Sequence, residues 1–258
     1  KNTNGVPLTL DIYSSLKKNN SPSPVILYVH GGSWVYGDKS IPNALSPVLN
    51  AFREEGYTII SISYELMRGK ANFNKQVADV KDTIRWIYKN KSNYNLNPNE
   101  IGVIGVSAGA HLSLLASYSS NDEFTDDKDL SQYPSKIKYL IDFAGPTDLS
   151  LLNTNNLNYD LTKIFNSIKD KDIVIKKFNP INYVSKRSPN TLIIHSNLDP
   201  MVPYKSSEEL YDKCVEEHIK VKLITLNSNV HDLSNISNAD IASMSEGLLK
   251  FVVFNSPL

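Results

Sequence analysis

The chain has 258 residues, and 41% of them are hydrophobic, which is enough apolar material for a sizeable core. Its 27 basic and 27 acidic side chains balance, so charge gives no reason to expect nucleic acid or an anionic membrane as a partner. The single cysteine, Cys214, excludes an intrachain disulfide and a cysteine-based metal site, and no segment is long and apolar enough to span a membrane.

Strand-like and helix-like segments alternate through most of the chain. Apolar and polar side chains alternate as in a half-exposed strand at residues 8–13. Short segments rich in Val and Ile predict buried strands at 25–29, 57–62, 101–106, 139–143, 191–195 and 221–226. Apolar residues at helical spacing predict helices at 72–89, 110–116, 204–217 and 239–253.

This alternation predicts an α/β protein with a mainly parallel central sheet and helices on both faces. No repeat, low-complexity tract or linker divides the chain, so residues 1–258 are expected to form one domain. Ligands on such sheets bind beyond the carboxyl ends of the strands. Functional residues are therefore expected at those ends.

The first such end carries Gly-Val-Ser-Ala-Gly at residues 105–109, between a predicted strand and a predicted helix. This order is typical of a nucleophile elbow, in which the chain turns sharply around the serine. The flanking glycines permit the close approach that the turn needs. Ser107 is the predicted nucleophile, and the amide of Ala108, at a helix N-terminus, would face the negative charge that develops during attack.

A second strand end carries His-Gly-Gly-Ser-Trp at residues 30–34. Gly31 and Gly32 allow backbone amides to approach a ligand without interference from side chains. Amides of this loop are expected to join that of Ala108 around an oxyanion. The same residues also fit an ordinary Gly-Gly turn.

A third strand end supplies a candidate acid, and the following loops supply a candidate base. Asp199 follows the predicted strand at 191–195, although an aspartate before proline is also common in simple turns. Of the five histidines, only His218 and His231 follow Asp199, as the order serine, acid, histidine requires. His218 lies in a helix-like segment, so His231 is the predicted base, and Asp232 beside it is expected to be a loop or capping residue.

Together these motifs resemble the α/β-hydrolase esterases of the hormone-sensitive-lipase type. The resemblance is strongest to the compact bacterial and archaeal feruloyl-esterase-like carboxylesterases, and it covers nearly the whole chain. Further stretches that carry it are Leu-Asp-Ile-Tyr at 10–13, residues 76–86 and Asp-Pro-Met-Val-Pro-Tyr at 199–204.

The resemblance implies the α/β-hydrolase fold and a role for each motif. It implies Ser107 as nucleophile, His231 as general base and acid, and Asp199 as the partner that orients the histidine. It also implies an oxyanion hole built from the amides of Gly32, Ser33 and Ala108.

Four positions depart from the family's pattern. Ser33 stands where a third glycine is usual, and Glu65 stands where arginine is common. Ser196 and Val230 both stand where glycine is usual. None of the four removes a catalytic group, but each weakens the inference of a substrate from the family.

The substrate expectation rests on the small size of the cap. Residue 8 is already predicted as sheet, which leaves no room for the long N-terminal cap of the larger lipases. The expected partial lid is residues 145–184, which are helix-like around 157–168. A small lid favours short acyl groups or acyl groups carried on glycans, such as acetyl or feruloyl esters. Gly31, Trp34 and Tyr36 are expected to line the substrate pocket, with core packing as the alternative for the two aromatic residues.

The expected reaction is ester hydrolysis through an acyl-enzyme, on a small-molecule or polysaccharide-borne ester, with no metal or organic cofactor. An arylformamidase-type amide hydrolase shares the His-Gly-Gly-x-Trp loop and is an alternative. A catalytically silent binding module on the same fold is a second alternative, of a different class.

The oligomeric state stays open. Because the chain begins without methionine, both a cytoplasmic location and secretion after removal of an N-terminal segment stay open as well.

Overall fold

The computed structural model describes residues 2–3, 6–17, 21–153, 159–231, 233–234 and 236–258. The strands are β1 Asn2–Thr3, β2 Val6–Pro7, β3 Leu10–Tyr13, β4 Ser23–Val29, β5 Thr58–Ile62, β6 Leu96–Val106, β7 Tyr139–Phe143, β8 Asn190–Ser196 and β9 Val221–Leu226. The helices are α1 Ser46–Glu55, α2 Phe73–Asn90, α3 Ala108–Tyr118, α4 Tyr159–Asn166, α5 Lys171–Phe178, α6 Lys205–Glu216 and α7 Asn238–Asn255. Short 3-10 turns lie at Leu149–Leu151 and Pro180–Tyr183.

Seven strands form one sheet in the order β3-β5-β4-β6-β7-β8-β9. Strand β3 runs antiparallel to β5, and every other neighbouring pair is parallel. Every residue of β4, β5 and β7 is buried, as expected for parallel strands covered on both faces. The predicted, mainly parallel central sheet is confirmed.

Successive side chains of the strands pack alternately in two hydrophobic cores, one on each face of the sheet. Leu27 and Val103 pack in a core that includes buried residues of α2, α3 and α6. Ile26 and Ile104, one position away in each strand, pack in the other core with residues of α1 and α7. Burial of each such side chain stabilises the fold by roughly 1.5–3 kcal/mol. The predicted cover of helices on both faces is confirmed.

The structure contains two helices, α1 and α5, that the sequence patterns do not predict. In α1, Val48, Leu49 and Phe52 are buried, and Gly56 ends the helix at a φ of 124°. Helix α5 buries only Phe178, so its sequence carries little apolar periodicity. Within the expected lid at 145–184, residues 154–158 lie outside the described residues, so α4 is described from residue 159 onward.

A buried carboxyl group lies within the sheet. Asp142 on β7 is 0% exposed, and its Oδ1 accepts a hydrogen bond from the Gly145 amide at 2.9 Å. Its Oδ2 is buried without a hydrogen-bond partner among the described residues. Burial raises the pKa of the Asp142 carboxyl to about 7, and the bond from Gly145 only partly opposes that effect.

We expect Asp142→Asn to stabilise the protein more at pH 8 than at pH 5. Between about pH 4 and pH 7 the folded state holds a proton that the unfolded chain has lost, so stability falls as pH rises through this interval. Asparagine does not ionise and removes that penalty. In thermal unfolding, the gain in Tm at pH 8 should exceed the gain at pH 5 by at least about 2–4 °C, the shift that about 1 kcal/mol produces in a chain of this size. An equal gain at both pH values would contradict this reading of Asp142.

Candidate active site

The turn between β6 and α3 brings Ser107 to a sharp corner. Ser107 has φ 53° and ψ −119°, and its amide donates to the Phe143 carbonyl at 2.7 Å. A Cβ at Gly105 would lie 2.5 Å from the Cα of Ala110, and one at Gly109 would lie 2.3 Å from two backbone carbonyl oxygens. Only glycine fits at either position. The positive φ of Ser107 costs about 1–3 kcal/mol, a strain that such turns store at functional sites.

The structure brings Ser107 together with the predicted histidine and acid. Ser107 Oγ lies 2.6 Å from His231 Nε2, and His231 Nδ1 lies 2.8 Å from Asp199 Oδ2. The Asp199 side chain is fully buried, and that of His231 is 11% exposed. The three residues follow β6, β8 and β9, so three separate strand ends meet at this point.

Asp199 accepts four hydrogen bonds, two on each carboxylate oxygen. The amides of Met201 and Val202 donate to Oδ1 at 2.7 and 2.9 Å. His195 Nε2, at 3.0 Å, and His231 Nδ1 both donate to Oδ2. Burial disfavours the charged form, but the hydrogen bonds from the two histidines outweigh it and hold the pKa of the Asp199 carboxyl well below its ordinary value. An ionised Asp199 fixes the proton of His231 on Nδ1 and leaves Nε2 free to accept the proton of Ser107.

His195 is a partner of the acid that the sequence analysis does not identify. It ends β8 with no exposed surface, and its Nδ1 accepts a hydrogen bond from Ser207 Oγ at 2.7 Å. Because the ionised Asp199 can only accept, the proton of the His195 ring lies on Nε2, and Nδ1 is left to accept from the Ser207 hydroxyl. A histidine four residues before a candidate acid, at the end of a strand, is the sequence signal that could have found it.

Ser196, one of the departures from the family's pattern, connects the loop of the acid with the loop of the histidine. Its hydroxyl donates to the Ser228 carbonyl and accepts from the Leu198 amide at 3.1 Å. Ser228 in turn donates through its amide, at 2.8 Å, and through its hydroxyl to Asp240 in the first turn of α7. A glycine at 196 would lack the hydroxyl that makes this bridge.

The glycine loop lies directly against the nucleophile turn. A Cβ added to Gly31 would approach the Cβ of Ser107 to 3.4 Å. Three successive residues have positive φ, namely Gly32 at 118°, Ser33 at 51° and Trp34 at 62°. A Cβ at Gly32 would lie 2.2 Å from a backbone oxygen, so this reversal of the chain requires glycine there.

Three backbone amides are expected to form the oxyanion hole. Those of Gly32, Ser33 and Ala108 donate to no residue within the described part of the chain. Unpaired amides beside a serine hydroxyl are the donors that an oxyanion needs.

An open cavity of about 490 Å³ adjoins this site. Ser107 and His231 border it on one side, together with the three glycine-loop residues Gly31, Gly32 and Ser33. Further lining residues include Tyr28, Asn43, Val106, Met201 and Leu233. The cavity therefore reaches the reacting hydroxyl, the imidazole and the unpaired amides of the glycine loop.

Two of the residues expected to line the pocket lie elsewhere. Trp34 is only 3% exposed; its Nε1 donates to His111 Nδ1 at 3.2 Å, and its ring packs edge-on against Phe73. Trp34 has a positive φ, and its side chain packs in the core, as the core-packing alternative expects. Tyr36 is 49% exposed, does not border the cavity, and donates to Asp160 Oδ2 at 2.5 Å. Only Gly31 of the three lines the cavity.

The remaining histidines take no part in the Ser107 hydrogen bonds. His111 donates from Nε2 to the Phe178 carbonyl at 2.8 Å, and burial lowers its pKa to about 4. His30 stacks on Tyr64 with ring centroids 4.2 Å apart. His218 follows α6 and borders a separate surface depression. Asp232 lies outside the described residues.

The described residues contain no group of three or more His, Cys, Asp or Glu that could hold a metal ion. Within the same residues, no helix combines the length and the apolar character that a membrane span requires.

A family model and several curated proteins match this sequence. Residues 10–214 match the family model described as BD-FAE. Esterase LipQ of Mycobacterium tuberculosis is 29% identical over 191 residues, which cover 72% of this chain and 44% of LipQ. The chain spans about half the length of the curated relatives it matches.

Solved structures show the same fold over nearly the whole chain. A truncated carbohydrate esterase from gut microbiota superposes with a TM-score of 0.78 at 24% identity, covering 96% of this chain and 91% of that one. Thermogutta terrifontis esterase 2, phosphoramylated by tabun, superposes with a TM-score of 0.81 at 20% identity, covering 100% and 94%. The expected α/β-hydrolase fold is confirmed.

Proposed function

The chain belongs to the BD-FAE family, and on this basis we propose that it is a serine carboxylesterase that hydrolyses short-chain or glycan-borne esters through an acyl-enzyme. The observation that carries the proposal is the continuous line of hydrogen bonds from Ser107 through His231 to Asp199, beside three backbone amides that have no partner among the described residues. The named esterases among its relatives support the same class of reaction.

In the first step, Ser107 Oγ attacks the ester carbonyl carbon while His231 Nε2 takes the hydroxyl proton. The carbonyl oxygen becomes negatively charged as the tetrahedral intermediate forms. The amides of Gly32, Ser33 and Ala108 would stabilise that charge; in other hydrolases one such donor is worth about 3–4 kcal/mol of barrier.

Collapse of the intermediate breaks the bond to the alcohol, and His231 gives its proton to the leaving oxygen. Water then attacks the acyl-enzyme with His231 again as base, which releases the acid and restores Ser107. Throughout, Asp199 stays ionised, because its hydrogen bonds outweigh the effect of burial, and it stabilises the imidazolium.

We place this activity in one domain over residues 1–258, with 145–184 as a partial lid. Leu161 and Ile164 of α4 are buried in the core that α2 and α3 share, which supports a segment packed on the body of the protein. Tyr36 also ties the glycine loop to α4 through Asp160. The described residues of this segment do not line the cavity, which stays open. A small lid and an open cavity favour acetyl, feruloyl-type and other compact or polymer-borne acyl groups.

Hydrolysis of a p-nitrophenyl ester series from acetate to palmitate tests the proposed substrate range. We expect kcat/KM for the acetate and butyrate esters to exceed that for the long-chain esters by about tenfold or more, since an open cavity with a small lid would bury little of a long acyl chain. A preference for long chains would overturn the substrate class. Hydrolysis of N-formyl anilides without any ester hydrolysis would instead favour the amide hydrolase.

A further inference from the structure

A tyrosine that the reaction scheme does not use faces the cavity beside Ser107. Tyr28 lies on β4, two residues before the glycine loop begins, and its side chain is 1% exposed. It borders the same cavity as Ser107 and His231. Its hydroxyl has no hydrogen-bond partner among the described residues. The hydroxyl oxygen is open to the cavity and not sealed in the core, so a ligand group in the cavity can bond to it.

The chemistry of this region suits an uncharged ligand group. Burial raises the pKa of Tyr28 well above its ordinary value, and the charge of Asp38 raises it further, so the phenol keeps its proton. Asn43, an exposed residue in the turn before α1, borders the same cavity. A phenol and a carboxamide can each donate and accept, which matches a hydroxyl group. The lining residues that the structure describes include no Asp, Glu, Lys or Arg that would favour a charged group.

We propose that Tyr28 and Asn43 form a polar subsite that binds a hydroxyl group of the ester substrate. The enzyme would then prefer esters of polyhydroxylated compounds to esters of plain hydrocarbons of the same shape. This inference rests on the proposed esterase activity and adds the residues that would select the substrate.

Two matched pairs of substrates test the subsite, and each pair differs by one hydroxyl. Cyclohexyl acetate and the monoacetate of trans-1,2-cyclohexanediol vary the alcohol side, and ethyl butyrate and ethyl 3-hydroxybutyrate vary the acyl side. We expect the native protein to favour the hydroxylated member of at least one pair. In Tyr28→Phe, which lacks only the hydroxyl, that ratio of kcat/KM should fall about tenfold, the value of one neutral hydrogen bond.

Two further variants separate a subsite from a general loss of structure. Tyr57→Phe also removes the hydroxyl of a buried tyrosine, one that bonds to the Ser256 carbonyl away from the cavity, and it should leave both ratios unchanged. Asn43→Ala, at an exposed position, should lower the same ratio as Tyr28→Phe.

The outcomes distinguish this inference from the proposed function. Unchanged ratios in both Tyr28→Phe and Asn43→Ala, with the plain esters still hydrolysed, would overturn the subsite and leave the esterase in place. If the native protein hydrolyses no ester of either pair, the proposed function fails, and the subsite fails with it.

Discussion

Replacement of Ser107 by alanine is expected to lower kcat/KM for ester substrates by about 10⁴–10⁶-fold, as loss of the nucleophile does in serine hydrolases. The hydroxyl lies 2.6 Å from Nε2 of His231, whose Nδ1 contacts the buried carboxylate of Asp199. Alanine keeps the strained turn but removes the atom that forms the acyl bond. Steady-state rates on p-nitrophenyl acetate measure the effect.

A serine of helix α3, which begins directly after Ser107, provides the control for that experiment. The Ser117 hydroxyl of α3 is buried without a hydrogen-bond partner among the described residues, so Ser117→Ala should keep both the native Tm and the native rate. A Ser107→Ala variant that keeps more than about a tenth of native activity would show that Ser107 is not the nucleophile.

Replacement of Asp199 by asparagine is expected to lower kcat by about 10⁴-fold, comparable with the equivalent change in a well-studied serine protease. The carboxylate accepts two donors on each oxygen. An amide offers one acceptor oxygen, so its NH₂ must face either the two backbone amides or the two imidazoles. If it faces the imidazoles, His231 takes the wrong tautomer for accepting the proton of Ser107. If it faces the backbone, the loop that holds residue 199 is disturbed.

Asp142→Asn serves as the matched control for Asp199→Asn. Asp142 is also fully buried, on β7 beside β8, but it contacts none of the reacting groups. Its replacement should leave kcat near the native value. A loss of less than about tenfold in Asp199→Asn, with the Tm unchanged, would mean that another group orients His231.

Much of the fold follows from local patterns in the sequence. Strands such as β7 and β9 begin and end at the predicted residues, because runs of Val, Ile and Leu in a covered parallel sheet are bounded by polar segments. Strand β6 begins five residues earlier than predicted, at Leu96, because an irregular register lets Leu96 pair with Ser23. That pairing depends on a distant strand and leaves no periodic signal.

The candidate site is partly visible in the sequence, because chain order and position at strand ends single out Ser107, Asp199 and His231. Contacts between loops are not visible in this way. The hydrogen bond from His195 to Asp199 and the bridge from Ser196 to Ser228 depend on how two loops meet in space. The inward turn of Trp34 depends on a positive φ that its residue type does not predict.

The central claim is that Ser107 is a nucleophile activated by His231. Mass spectrometry of the protein treated with a fluorophosphonate tests this most directly, because the reagent captures only an activated serine. We predict one adduct per chain, located at Ser107, in the native protein, and none in Ser107→Ala or His231→Ala under the same conditions. An adduct at another residue, or an unmodified Ser107 in protein that hydrolyses esters, would contradict the account.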